Sequence, residues 1–188
     1  MSRLLIAGNS TMPSSVGIFN LPPLVTCKPS RWCRKYCYGL QGRFLWNPVR
    51  KSLMWRLGES LRPDFVDNLI DELECRNFEY VRIHITGDFY SQEYINKWAV
   101  VAKLFPSIIF RTNTKRYDYL KYMKKVFPEN IVVRESTDVT RKSHGIYPQV
   151  SIQGTKGSSK FFACQNNCSD CEFYCWHNPK INVVLGIL

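Results

Sequence analysis

Residues 80–100 read YVRIHITGDFYSQEYINKWAV. The first seven of them alternate, with Val81, Ile83 and Ile85 on one side of an extended chain and Arg82, His84 and Thr86 on the other. Period two predicts a β-strand. Gly87 and Asp88 break it, and Ser91 is placed to cap a helix through Tyr94, Ile95, Trp98 and Val101 that closes before Pro106. One strand and one helix in immediate succession make a βα unit, and the question is whether the unit recurs.

It does. SIIFRTN (107–113) reads as a strand, RYDYLKYMKKVF (116–127) as a helix with Leu120, Met123 and Phe127 on one stripe, NIVVRES (130–136) as a third strand and QVSI (149–152) as a fourth. Upstream, VRKSLMWRLGESL (49–61) and RPDFVDNLIDELE (62–74) read as helices, with Pro63 in the first turn of the second. Strands alternating with helices imply parallel pairing through right-handed crossovers. The expected class is α/β, a partial (βα) barrel with a curved, mostly parallel sheet of about four to six strands. GTKGSSK (154–160) reads as a linker. It divides a single domain into a barrel part, 1–153, and a cysteine-rich tail, 154–188.

At 188 residues, 45% of them hydrophobic and 14% aromatic, the chain has enough apolar surface for a core of its own, and disorder is excluded. Its apolar runs are too short for a membrane span or the core of a secretory signal, so an intracellular, cytoplasmic protein without membrane contact is expected. Reduced thiols in that compartment point to metal or redox chemistry rather than disulfides.

Seven of the eight cysteines fall in two groups. Cys27, Cys33 and Cys37 are spaced C-x5-C-x3-C, and Cys164, Cys168, Cys171 and Cys175 are spaced C-x3-C-x2-C-x3-C. Thiolates suit zinc or iron–sulfur clusters. A zinc ribbon normally separates its two cysteine pairs by a longer stretch, whereas compact runs are an iron–sulfur habit, so one or two [4Fe–4S] clusters are favoured over zinc. The N-terminal three are one ligand short. Either the fourth position stays open to a small ligand, or Cys175 or His84 fills it. Cys75, at the end of a helix, reads as an inert small hydrophobe.

His84, Asp88 and Asn113 lie at strand ends, where βα folds bind ligands, and are the candidate cofactor-binding residues. Asp88 alternatively caps the helix that follows, and Arg134–Glu135 reads as an ion pair. The formal net charge of +11 favours an acidic partner, nucleic acid first. Four basic groups would track a phosphate backbone if they shared a face: Lys28, Arg31, Arg34 and Lys35; Lys115 and Arg116; Lys121, Lys124 and Lys125; Arg141 and Lys142. Part of that charge balances clusters, since two of them would lower the total to about +8.

A three-cysteine loop ahead of successive βα units resembles the radical S-adenosylmethionine enzymes. TGDF (86–89), RTNT (111–114) and RESTD (134–138) stand where that family carries its Gly-Gly-Glu-Pro, Thr-Asn-Gly and Ser-x-Asp segments. The cysteine spacing is longer here than the C-x3-C-x2-C of that family. The resemblance implies S-adenosylmethionine as a ligand. A closer likeness is to a phage family named for gene product eighty-eight, carried by CRKYCYGLQGRF, HITGDFYS and CEFYCWHN. That likeness implies the fold and a viral origin, with action inside a host cell. Two functions follow: a non-catalytic iron–sulfur module that binds nucleic acid or a partner, or an S-adenosylmethionine-type enzyme with an open N-terminal cluster and an auxiliary C-terminal one.

Overall fold

The computed structural model describes residues 3–152 and 161–185. The linker reading of Gly154–Lys160 lies outside them. Strands β1 (Ile6–Ala7), β2 (Val16–Phe19), β3 (Tyr80–Ile83), β4 (Ile109–Thr114), β5 (Ile131–Thr137), β6 (Gln149–Ile152), β7 (Phe161–Ala163) and β8 (Asn182–Leu185) form one sheet in the order β1-β2-β3-β4-β5-β6-β8-β7. Among the described strands, β1–β2 pair antiparallel and the other six pairings are parallel.

The expected partial barrel is therefore corrected to an open, eight-stranded mixed sheet. Two physical causes account for the difference. A two-residue β1 turns back on β2 and closes one edge antiparallel, where a barrel would continue in parallel. At the other edge the cysteine-rich segment joins the sheet, because Val183 and Val184 pair with Val150 and Ser151 of β6. The face that a barrel would fill with its own side chains is covered instead by that segment.

One face carries the main core. Helices α3 (Phe65–Glu74), α4 (Gln92–Leu104) and α5 (Leu120–Val126) pack Phe65, Leu69, Tyr94, Trp98, Val101 and Met123 against Val81, Ile83, Phe110 and Val133 of the strands. Ser91 caps α4 by accepting from Tyr94 N at 3.1 Å. Truncating Trp98, which is fully buried, removes about 3–5 kcal/mol at a site of this kind. The opposite face holds a smaller apolar cluster of Val16, Ile18, Val150, Cys175, Trp176 and Val183. Helix α6 (Tyr174–His177) belongs to this side.

The strand read over Tyr80–Thr86 stops at Ile83. His84 has φ 63°, a left-handed backbone that few non-glycine residues adopt, and its N–H donates to Phe19 O at 2.9 Å. The kink takes Ile85 out of phase, and it packs against the smaller cluster instead of the main core.

Candidate functional site

The cysteine loop between β2 and α2 (Asn47–Leu61) closes over the ends of β2, β3 and β4. Its short helix α1 (Arg31–Lys35) starts at Ser30, whose Oγ accepts from Cys33 N at 3.0 Å and donates to Asp138 beyond β5. Trp32 N donates to Thr140 Oγ1 at 3.3 Å. The loop also interlocks with the Thr86-Gly87-Asp88 turn. Gly87 has φ 81°, and a Cβ there would stand 2.5 Å from Leu21 Cβ; a Cβ on Gly39 would stand 2.8 Å from Thr86 Cγ2. Gly39 lets the CYG segment close onto the side chains of Thr86 and Pro23, and Gly87 lets the TGD turn close onto Leu21 and Thr26.

Asp88 is the buried centre of this turn. Its Oδ1 accepts from Thr114 Oγ1 at 2.7 Å and Phe89 N at 2.8 Å, and its Oδ2 from Lys115 N at 2.8 Å. Burial pushes its carboxyl above the ordinary range, against the pull of these donors. Asp88 thus ties the end of β3 to the end of β4, and the cap of α4 is Ser91. Every carboxylate contact named here is to the protein itself.

Around Asp88 stand the N-terminal thiols. Burial, then the Asp88 charge, pushes Cys27 up to about 11. Cys33 and Cys37 act on one another, which raises Cys33 and lowers Cys37 to about 6. Lys115 acts on Cys33 in favour of the thiolate, and Asp138 against it. Beside them lies a cleft of about 460 Å³ lined by Lys28, Lys115, Tyr117, Arg141, Lys142 and His144 among others. Arg141 Nη1 donates to Lys28 O at 3.0 Å and Lys115 O at 3.2 Å, stapling the cysteine loop to the end of β4.

The C-terminal thiols occupy the other face of the sheet. Cys175 is buried, and Arg111 Nη1 donates to its Sγ at 2.6 Å. Burial first, then Cys175, raises Cys168, while Arg111 opposes the rise. Arg134, fully buried, donates from Nη2 to Cys175 O at 2.8 Å and Asn178 O at 2.9 Å, and from Nε to Ile181 O at 3.3 Å. Arg82 Nη2 reaches Asn113 at 2.8 Å with the amide turned to accept. Arg82 and Arg111 are register neighbours, and burial, followed by their mutual repulsion, lowers Arg82 to about 9.

Among the described residues no three His, Cys, Asp or Glu side chains converge tightly enough to hold a metal ion. The thiols within each set nevertheless act on one another: Cys27 on Cys37, Cys33 on Cys37, Cys175 and Cys171 on Cys168. The donor chemistry fits a soft metal at both places. At the C-terminal set the surroundings also fit, because Arg111 Nε, Arg134 Nη1 and Trp176 Nε1 are buried donors without a partner.

Of the candidate cofactor-binding residues, Asp88 lies at the N-terminal thiols and Asn113 with Arg82 on the opposite face. His84 turns into the main core, its Nε2 2.9 Å from Tyr94 OH and its ring edge-on to Phe89. Burial and then Arg82 lower it to about 3, so the ring is neutral. Cys175 contacts Arg111 and Cys168, and the two cysteine sets stand on different parts of the sheet. Cys75 caps α3 and is exposed. The Arg134–Glu135 pair is corrected: successive strand residues point to opposite faces, and Glu135 accepts instead from His144, Ile146 and Tyr147 N. Arg82 and Arg111 were missed as site residues. The signal for them is the recurrence of arginine after one apolar residue, VRI, FRT and VRE, in three consecutive strands.

The chain belongs to the Gene product 88 family, whose model matches residues 3–159. That span contains the N-terminal thiols, the Asp88 turn and the βα units, and it ends before Cys164. No curated protein and no solved structure matches the chain. Among the described residues no helix is long and apolar enough to cross a membrane.

Proposed function

We propose that this member of a phage gene-product family is an iron–sulfur protein that meets nucleic acid through the surface around its N-terminal thiols. The observation that carries the reading is the company those thiols keep. Tyr36, Tyr38 and Trp46 are 47%, 57% and 59% exposed on the segment that holds Cys33 and Cys37. Exposed cations alternate with them: Arg31, Arg34, Lys35 and Arg43, with Lys35 over the Tyr36 ring and Arg43 over the Trp46 ring. Exposed rings interleaved with cations bind single strands by stacking and by displacing counterions. The cysteine triad gives the same surface a place for a cluster with one iron not held by a cysteine thiolate. Bound there, a cluster supplies one-electron chemistry and an open coordination position.

The cleft favours a second reading of that open position. Lys28, Lys115 and Arg141 line it and suit a small ligand with a carboxylate or phosphate, and S-adenosylmethionine is the first to test.

Anaerobic purification with iron and sulfide counts tests the metal. Brown protein with at least four irons per chain is expected, and a colourless zinc protein sinks the iron part. Band shifts with a labelled single strand at several salt concentrations test the partner. Arg34→Ala with Lys35→Ala is expected to flatten the plot of log affinity against log salt by about 1.5. Affinity indifferent to salt would falsify nucleic-acid binding. Titration with S-adenosylmethionine that leaves the reduced spectrum unchanged removes the second reading.

A further inference from the structure

Three guanidinium groups lie beneath the sheet in consecutive strands, Arg82 on β3, Arg111 on β4 and Arg134 on β5, at 9%, 6% and 0% exposure. Among the described residues none of them forms an ion pair with a carboxylate. A buried cation without an anion is costly, and three side by side add mutual repulsion. The partner the structure does provide is sulfur: Arg111 Nη1 donates to Cys175 Sγ at 2.6 Å. Two of the guanidinium groups and the Trp176 indole keep a buried N–H unpartnered on this side of the sheet.

We propose that Arg82, Arg111 and Arg134 are the counter-charge of a metal–thiolate centre on Cys164, Cys168, Cys171 and Cys175. Four thiolates on zinc or on an oxidised [4Fe–4S] core carry formally two negative charges, which a lone thiolate does not supply. The backbone agrees with a segment tied at several points. Asn166, Glu172 and Phe173, all between Cys164 and Cys175, have φ of 61°, 48° and 55°, a strain that persists only where the surroundings enforce it. The inference rests on metal binding by the C-terminal thiols in the reading above and not on iron, since zinc alone satisfies it.

The test is a comparison of loaded and stripped protein, using the full chain reconstituted with zinc alone or with ferrous iron and sulfide. In loaded protein, Arg111→Met is expected to speed metal loss to a chelator at least tenfold, and Arg111→Lys, which keeps the charge, by less. In stripped protein, Arg111→Met is expected to leave the melting temperature unchanged or raise it, because the cation then lacks its anion. That reversal is what a purely structural arginine would not produce. Equal destabilisation in both states overturns the proposal, and so does a C-terminal set that takes up neither metal. Should Arg111→Met fail to fold, Arg82→Gln, which has fewer contacts to lose, carries the same comparison. Zinc uptake with the reversal, and no iron, leaves this proposal standing while the iron–sulfur reading falls.

Discussion

At the strand ends, Cys27 lies near Asp88 and Cys33 near Asp138; beneath the sheet, Cys175 lies against Arg111. The nearest named charge is thus a carboxylate in one place and a guanidinium in the other, although Lys115 also acts on Cys33 in favour of the thiolate. Burial, then Asp88, raises Cys27, while Cys33 lowers Cys37 to about 6. Burial raises Cys168 as well, but there the Arg111 guanidinium opposes the rise. Exposure sets one thiol apart: Cys175 is buried, and the other six of the two sets are half-buried. The difference lies in the surroundings, exposed rings and cations around the N-terminal thiols and a row of buried guanidinium groups beside the C-terminal ones.

The sharpest way to break this contrast is to remove Arg134. Arg134→Met removes a buried donor to the carbonyls of Cys175, Asn178 and Ile181 and is expected to cost about 3–5 kcal/mol in urea unfolding. Its counterpart at the open end, Lys28→Ala, removes a long exposed pair and is expected to cost under about 0.5 kcal/mol. Comparable losses from the two would show that both ends are equally structural. Next in size is Gly87→Ala, where a Cβ would meet Leu21 and the φ is left-handed. A loss of about 2–4 kcal/mol is expected, with hydrogen-exchange protection falling around the cysteine loop and holding beneath the sheet. Exchange that rises equally at both places would mean that the two sites do not open independently.

A further effect is graded with pH. His84 is neutral in the folded chain down to about 3, whereas an unfolded histidine binds a proton near 6.5. Between those values the unfolded state binds the extra proton, so stability falls as the medium is acidified, by up to about 1.4 kcal/mol per pH unit. His84→Asn retains a residue that tolerates the left-handed backbone and removes that slope. Unfolding curves at pH 6.5 and 4.5 that shift equally in the parent and the variant would remove His84 as the cause.

The sequence displayed the middle of the sheet and concealed its edges. Val81 and Ile83, Phe110 and Thr112, and Val133 alternate clearly enough to mark β3, β4 and β5, and Ser91 marks the start of α4. By contrast β2 is Val-Gly-Ile-Phe, buried on both faces and without alternation, and β1 is two residues long. Neither pattern distinguishes a strand from a loop. The tail strands β7 and β8 were hidden for another reason: in a segment dominated by cysteine, three or four apolar residues do not stand out. Alternation also misled about the second face, since Arg82 in an amphipathic strand reads as solvent-facing, and here that face is buried. For the site, the cysteine spacings identified the thiols. What spacing did not convey was that Asp88 is fully engaged by Thr114, Phe89 and Lys115, or that His84 belongs to Tyr94; both depend on contacts between distant parts of the chain.

The position of β8 between β6 and β7 bears on synthesis. Strand β7 has β8 as its one neighbour in the sheet, and β8 follows it by about twenty residues, counted from Ala163 to Asn182. Phe161–Ala163 has nothing to pair with until Asn182–Leu185 has been made and has docked on β6, so the sheet beyond β6 is built only after the last strand is available. The segment from Cys164 to Cys175 is drawn into its loop between β7 and β8 in that final step.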